Sequence, residues 1–422
     1  APARSDHLQQ VEEVATHKRL ASGEGDVASG ALAPQAVEQL VELQQELESH
    51  GLYYPPVPTY QDAMIGGTVS TNAGGAATFK YGVTRQWIRG IRVVLFNGDV
   101  LDLSRGQAVA APGDKFGIGL SGGGMLEVPV PTYKLPDLKK ISAGYHASDP
   151  LDLLDLFIGS EGTLGVVTEA TLRLTGIPGH HLAVTITFNH LDEASQAVAV
   201  IIGSGLEPAA LELLTPELIN LMNREKNLGI PEVPSLFCEF HGISKAMLHE
   251  TADLARELCE DCGATGFQFG IEANERTELW RARHEAWETI HRAHPGKETL
   301  IVDAAVPISR YPEMIGFSQR LVDDQNVAGY VFGHAGDGNL HVVLVGDPDN
   351  EKEWSVLEDI NDQVVSRAVE LGGTCTGEHG IGIGKRKFMK LEHGDSYQLM
   401  RQIKDLIDPK GLLNPGKIFI EP

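Results

Sequence analysis

One nine-residue stretch constrains the fold of this chain more than any other. Residues 333–341 read GHAGDGNLH, with the apolar runs YVF before them and VVLV after them. Two such runs joined by Gly336-Asp337-Gly338-Asn339 fold back as paired antiparallel strands, because glycine and asparagine supply turn conformations that branched residues resist. His334 closes the first strand and His341 opens the second. The expected register sets the two imidazoles opposite each other on one face, with Cβ atoms about 4.5–5.5 Å apart. Histidines at that spacing can share a metal ion if a carboxylate joins them. TGEHGIG offers one at Glu378, with His379 beside it. The alternative is a histidine pair satisfied by hydrogen bonds within a core hairpin.

The rest of the chain reads as α+β. Val37, Leu40, Val41, Leu43 and Leu47 recur at helical spacing, and Gly51 stops that helix. Pro55, Pro56 and Pro58 follow, then a Gly/Ala/Thr-rich loop from Gly66 to Ala77. IRGIRVVLF, the Asn97-Gly98 turn and VLDL predict a hairpin. Residues 105–150 are rich in glycine and proline and read as a long excursion. LFIGSEGTLGVVTEATLRL closes a first domain, 1–178. A second domain, 179–422, opens with the strand LAVTITF. A β-α-β then β-α-β order predicts a ferredoxin-like split sheet, with helices near 192–203 and 245–262. A long helix at about 273–293, the histidine hairpin and a helix at 351–371 come next. The tail, 372–422, is expected to return over the first domain.

The formal net charge of −24 over 422 residues excludes nucleic acid as a partner, since phosphate binding needs basic surface. It also disfavours docking on anionic lipid and would attract a basic redox protein such as a c-type cytochrome. No apolar run is long enough to span a bilayer, and the first residues have no signal-peptide core, so the expected location is cytoplasmic with at most peripheral membrane contact. Four cysteines do not make a disulfide framework in a chain this long. Cys259 and Cys262 could form a redox or metal pair, but their place at the end of a helical pattern favours ordinary helix-end thiols. GIGK at 382–385 is no phosphate loop, because Arg386 follows Lys385. GIGLSGGGM at 117–125 is no dinucleotide fingerprint, because no clear strand precedes it. The glycines of IGGTVSTNAGG and GSEGTLG either admit a planar ligand against the backbone or serve packing alone.

Taken together and in order, GLYYPPVPTYQDAMIGGTVSTNAGG, KYGVTR, VVLFNGDVLDL, LFIGSEGTLGVVTEATLRL, LWRARHEAW, DAAVPISRYPEM, GHAGDGNLH, GGTCTGEHGIGIGKRK and LIDPKGLLNPGK resemble the FAD-linked oxidase family of the vanillyl-alcohol oxidase superfamily. That family includes D-lactate dehydrogenase, the glycolate oxidase D subunit and D-2-hydroxyglutarate dehydrogenase. LWRARHEAW and VPISR look most like the D-lactate branch.

The resemblance implies an FAD-binding PCMH-type domain followed by a ferredoxin-like substrate domain. It implies oxidation of a D-2-hydroxy acid, with electrons passed to a cytochrome, quinone or flavoprotein, and a possible homodimer. By the same resemblance Pro56, Gly66, Gly67, Thr71, Asn72, Gly74, Gly75 and Tyr81 would line the flavin. Gly162, Thr163, Gly165 and Val166 would continue that wall, and Asn414 would close over the ring. His334, His341 and Glu378 would hold Zn²⁺ or Mn²⁺, His379 would be the catalytic base, and Arg283 would bind the substrate carboxylate. In this family a Gly-rich loop near the N-terminus cradles the FAD diphosphate. Residues 1–50 hold nothing like it, so the first domain is expected to be partial. Two rival readings follow: a non-catalytic homologue that has lost FAD, and a metal hydrolase using the His/His/Glu set without flavin. GGGMLEVPVPTYKLPDLKKISAGYHASDP has no expected function.

Overall fold

A computed structural model describes residues 31–32, 37–60, 62–270, 280, 283 and 285–420. Of the expected 273–293 helix, residues 273–279, 281, 282 and 284 lie outside the described residues, as do residues 1–30, and the described part is helical over Ala286–Ala293 after a turn at Glu285. In the first part of the chain, helix α1 (Leu40–Ser49) buries Leu40, Leu43 and Leu47; of the other two positions its spacing predicts, Val41 is half-buried and Val37 lies before the helix and is exposed. Helix α2 (Ile65–Thr71) ends on Asn72 at φ 50°, a left-handed cap that asparagine tolerates. Strands β1 (Ile88–Val94) and β2 (Val100–Ser104) form the expected hairpin, with Gly98 at φ 87°. The Gly/Pro-rich excursion contains a second hairpin, β3 (Lys115–Gly119) with β4 (Met125–Pro129). It then runs inward and buries Lys140, Ala143 and Tyr145. Strand β5 (Val166–Arg173) completes a four-stranded sheet in the order Ala31–Leu32, β5, β1, β2.

The second part is a seven-stranded sheet whose named pairs are all antiparallel. Its elements are β6 (His180–Phe188), α3 (Leu191–Gly203), β7 (Ala210–Leu214), α4 (Pro216–Lys226), β8 (Ser235–Gly242), α5 (Lys245–Asp261) and β9 (Ala264–Gly270). Then come α6 (Ala286–Ala293), β10 (Glu298–Ala305), α7 (Tyr311–Gln325), β11 (Ala328–Gly333), β12 (Asn339–Gly346) and α8 (Glu351–Glu370). The sheet order is β9-β6-β8-β7-β11-β12-β10. The first four strands reproduce the ferredoxin-like order expected from the sequence, with α4 inserted, and three further strands extend it.

Side chains alternate across each strand, so the sheet has two distinct faces. One carries Leu182, Val184, Leu211, Leu236, Cys238, Val302 and Leu344, all within the main core, against which α3, α5, α7 and α8 pack. Helix α5 shows why. Leu248, Ala252, Ala255 and Cys259 form its buried stripe, and Ser244 caps it by accepting a bond from the Met247 amide. Replacing such a cap with alanine costs about 1 kcal/mol. Cys259 is thus a core residue, Cys262 is the helix cap, and both are free thiols. The other face carries a smaller core of Leu214, Phe237, Phe332, Val343 and Val345 under α4 and α6. The polar residues of that same face meet the first part of the chain.

The hairpin register differs from the expected one. His341 pairs with Phe332, not with His334. The reason is the turn: a single 3-10 turn at Ala335–Asp337 and Gly338 at φ 77° take up the connection, leaving His334 beyond the last pair. Residues 332 and 334 share a face, so the histidines still meet, with ring centroids 5.2 Å apart and planes at 86°.

Candidate functional site

Glycines bring the strand ends close enough to build the centre. A Cβ on Gly333 would lie 2.2 Å from the Asn339 carbonyl, and one on Gly338 would lie 2.0 Å from that of Val306. Asn339 ties the turn to β10, donating to Asp303 Oδ1 at 2.7 Å and to the Ala304 carbonyl at 2.9 Å. The 374–379 loop is fastened to the same strand. Asp303, wholly buried, accepts from the Thr376 hydroxyl at 2.7 Å and from the amides of Glu378 and His379 at 3.1 and 2.9 Å. Burial alone would raise the Asp303 carboxyl, but Lys385, His379 and His341 hold it well below the usual range.

The result is a convergence of three donor atoms. His334 Nε2 lies 3.2 Å and His341 Nε2 3.3 Å from Glu378 Oε1. All three atoms lie within 4.8 Å of one another. Donors around a tetrahedral Zn²⁺ are about 3.4 Å apart, given bonds of about 2.0–2.2 Å. The set fits a divalent ion with little movement. Two of the three donors are oriented from behind, while the buried Nδ1 of His341 has no hydrogen-bond partner among the described residues and lies 3.9 Å from Asp303 Oδ1. Glu212 Oε1 sits 2.5 Å from His334 Nδ1, which leaves Nε2 to face Glu378. Lys140 Nζ holds Glu378 Oε2 at 2.9 Å, and so presents Oε1 alone to the histidines. The other side of Lys140 is 3.1 Å from Asp337.

The electrostatics follow from this packing. Burial would depress His334, but the Glu212 carboxylate overrides it and pushes the imidazole up to about 9. Burial outweighs the pull of Glu378 on His341, which falls to about 4 and stays neutral. Glu378 is held well below the usual carboxylate range by Lys140 and His334, against burial. Asp337 rises to about 6, because burial outweighs its pairing with Lys140. Glu212 falls to about 2 despite burial, held there by Arg283 and His334.

His379 stands at the mouth of this centre. It is 45% exposed and stacks on His341 at 5.2 Å and 16°, facing outward while Glu378 faces in. Arg283 is buried. Its Nε is bound to Glu212 Oε2 at 2.7 Å and its guanidinium lies 4.8 Å from the Phe332 ring centre. One terminal nitrogen of Arg283 has no partner among the described residues. A buried cationic donor left open in this way is what a carboxylate ligand would complete.

Comparison with known proteins decides the family. Residues 177–418 match the family described as FAD linked oxidases, C-terminal domain, and residues 16–104 match an FAD binding domain. The chain belongs to the FAD-linked oxidases. A probable mitochondrial D-lactate dehydrogenase of Danio rerio is 33% identical over 420 residues, 95% of this chain and 77% of that protein. The mitochondrial D-lactate dehydrogenase [cytochrome] of Arabidopsis thaliana is 33% identical over 90% of this chain and 60% of its own length. Glycolate oxidase subunit GlcD of Bacillus subtilis is 32% identical over 88% of this chain and 72% of its own length. The fold is also that of 4-ethylphenol oxidase from Gulosibacter chungangensis, with TM-score 0.65 at 15% identity over 93% of this chain and 77% of that one.

For an FAD-linked oxidase the flavin wall is the other half of the site, and the expected wall residues divide in two. Gly67, Thr71, Gly162 and Asn414 are at least partly exposed and share one ledge. The Glu161 amide binds the Ser70 carbonyl, and Asn414 Nδ2 donates to the Glu161 carbonyl at 2.5 Å. A Cβ on Gly67 would meet nothing within 4 Å, so no side chain rises over the ledge there. That open, small-residue surface fits a planar ring. The tail contacts it, with Glu161 accepting from the amides of Ile381 and Gly382.

The remaining wall residues have structural reasons to be what they are. A Cβ on Gly75 would lie 2.1 Å from the Val57 carbonyl, one on Gly74 2.8 Å from Thr78 Oγ1, and one on Gly165 2.2 Å from Val93 Cγ1. Pro56 and Gly66 are buried, and Val166 is a strand residue paired with Val94. Thr163 is buried with its hydroxyl on Tyr145, and Asn72 accepts from the Arg85 amide. Tyr81 turns away from the ledge to bond His241.

Five residues that build the centre escaped sequence reading: Lys140, Glu212, Asp303, Asp337 and Asn339. Glu212 and Asp303 did leave a trace, as lone acids in the apolar runs ALELL and LIVDAA. Among the described residues, no helix is long and apolar enough to cross a membrane.

Proposed function

We propose that the chain oxidises a D-2-hydroxy acid, D-lactate or glycolate foremost, to the 2-oxo acid. FAD is the immediate acceptor, and a cytochrome, quinone or flavoprotein takes the electrons onward. The observation that carries this reading is the buried convergence of His334, His341 and Glu378 beneath the exposed ring of His379, with the open nitrogen of Arg283 on the same sheet face.

A 2-hydroxy acid offers a carboxylate and a hydroxyl on adjacent carbons, and the residues answer each group. Arg283, already aligned by Glu212, binds the carboxylate through its unpartnered nitrogen. His379 accepts the hydroxyl proton, a role suited to an exposed imidazole at the mouth of the centre. Glu378 is a poor base by contrast, since Lys140 and His334 hold it ionised. Zn²⁺ or Mn²⁺ held by His334, His341 and Glu378 would lower the pKa of the hydroxyl. FAD on the Gly67–Asn414 ledge would accept the hydride from Cα.

The test is anaerobic mixing of the FAD- and metal-loaded chain with D-lactate, glycolate and L-lactate while the visible flavin band is followed. Bleaching by D-lactate or glycolate and not by L-lactate is expected. Bound flavin that no 2-hydroxy acid reduces would refute the reading. Failure to take up FAD at all would favour a non-catalytic homologue.

A further inference from the structure

A second set of donors lies on the same inner face of the sheet, on strands β6 and β8. His181 and His241 are directly paired across these strands, and Glu239 precedes His241 by two residues, on the same face. Both imidazoles aim at a single carboxylate oxygen. Glu239 Oε1 is 3.2 Å from His181 Nδ1 and 2.7 Å from His241 Nε2. The three ligand atoms lie within 4.8 Å of one another. The rings are 4.3 Å apart at 67°, so their nitrogens converge rather than stack.

We propose that His181, Glu239 and His241 form a second site for a divalent transition-metal ion such as Zn²⁺. It shares no residue with the His334/His341/Glu378 set and stands whether or not that set binds metal.

Two further features support it. The Tyr81 hydroxyl lies 2.7 Å from His241 Nδ1. That oxygen can accept from Nδ1–H, which leaves Nε2 for a metal, the usual arrangement behind histidine ligands. Tyr81 comes from the first part of the chain, so metal binding here would join the two parts. The site also opens into a cavity of about 1020 Å³ between them. Five carboxylates line that cavity, those of Glu48, Asp62, Glu239, Glu285 and Glu288; Glu285 is paired with Lys226, and Lys80 Nζ donates to the His241 carbonyl at 3.2 Å. Such a chamber concentrates cations. Three protein donors with an open side leave coordination positions for water or a small ligand. Two nitrogens and one oxygen suit Zn²⁺ or a neighbouring transition ion better than Ca²⁺ or Mg²⁺.

The experiment is equilibrium dialysis of the full chain against Zn²⁺, read by elemental analysis, with circular dichroism to check folding. Wild type is expected to hold two ions, His334→Ala one, and His334→Ala with His241→Ala none. Glu239→Gln keeps the shape and hydrogen bonding of the cluster but removes its charge, so it should lose the second ion even if His241→Ala misfolds. Tyr81→Phe should weaken that ion by roughly ten- to a hundredfold. A single wild-type ion that disappears in His334→Ala and survives in Glu239→Gln and His181→Ala would overturn the proposal. A single ion lost in those two variants and retained in His334→Ala would uphold it and refute the first site instead.

Discussion

Lys140 is the residue whose removal most directly tests the electrostatics of the centre. It is fully buried, 2.9 Å from Glu378 and 3.1 Å from Asp337. Lys140→Met keeps the volume of the side chain and strands two carboxylates out of water. Removing one partner of a buried ion pair costs about 3–5 kcal/mol. Asp337 already titrates near 6 and can relieve part of that by taking up a proton, which favours the lower end. At roughly 2–4 °C per kcal/mol for a domain of about 150–250 residues, 3 kcal/mol lowers Tm by roughly 6–12 °C. The assay is thermal unfolding in chelator and again in Zn²⁺. A cation held by Glu378 replaces the lost charge, so the gap between variant and wild type should narrow with Zn²⁺. A variant within about 1 kcal/mol of wild type in chelator would refute the burial argument. A gap that Zn²⁺ leaves unchanged would refute the placing of the cation on Glu378.

Other consequences are as direct. Glu212→Gln should weaken Zn²⁺ at the His334 centre by roughly ten- to a hundredfold, because the carboxylate that orients His334 Nδ1 is gone; equal affinity by dialysis would show the contact to be idle. His379→Ala should retain metal and flavin yet slow flavin reduction by D-lactate by about a hundredfold or more, and a rate equal to wild type would place the base elsewhere. His146 is pushed down from 6.5 to about 3, by burial first and then by Arg85, with Asp155 opposing. Because the unfolded chain takes up that proton more readily, the contribution of His146 to stability is complete above about 6.5 and is lost as pH falls toward 3, at up to about 1.4 kcal/mol per pH unit. His146→Asn should flatten stability against pH over that window, and an unchanged slope in acid denaturation would count against it.

The candidate centre was legible where it was local. His334, His341 and Glu378 stand in or beside two short segments whose glycines announce sharp turns, so the pattern was visible without the fold. The expected direct opposition of the histidines was wrong by one pair, because a 3-10 turn closes the hairpin, yet period two kept them on one face. The supporting residues were not legible. Lys140 comes from the excursion that had no expected function, 238 residues from Glu378, and only the fold brings them together. The glycine-rich stretch misled in a different way, and its first part, expected as a loop, is the helix Ile65–Thr71. Gly67 and Gly75 look alike in sequence, but the first faces open space and the second a backbone carbonyl at 2.1 Å from where its Cβ would lie. Composition cannot separate a glycine that admits a ligand from one that admits its own chain.

The inner face of the large sheet explains why both donor sets occur where they do. It carries Glu212, Glu239, Asp303, His334 and His341 in or beside strands whose opposite face is almost wholly apolar. Burying that many ionisable groups is costly, and pairing them recovers little beyond what hydrophobic residues of equal size would provide. Stability alone therefore does not account for them. Apolar packing does return on the same face wherever helices α4 and α6 cover it, at Leu214, Phe237, Phe332 and Val343. The charged residues begin where that cover ends and the first part of the chain begins. On β7, Leu214 lies under the helices while Glu212, two residues away on the same face, binds both Arg283 and His334. The sheet changes from core to chemistry within one pleat, at the edge of the helical cover. A Glu212→Leu chain should then be no less stable than Glu212→Gln only if Arg283 is removed with it, since an unpaired buried guanidinium would otherwise remain. Comparing Glu212→Leu with Glu212→Leu/Arg283→Leu by thermal unfolding separates the two. A double variant less stable than the single would show that these charges do contribute to the fold.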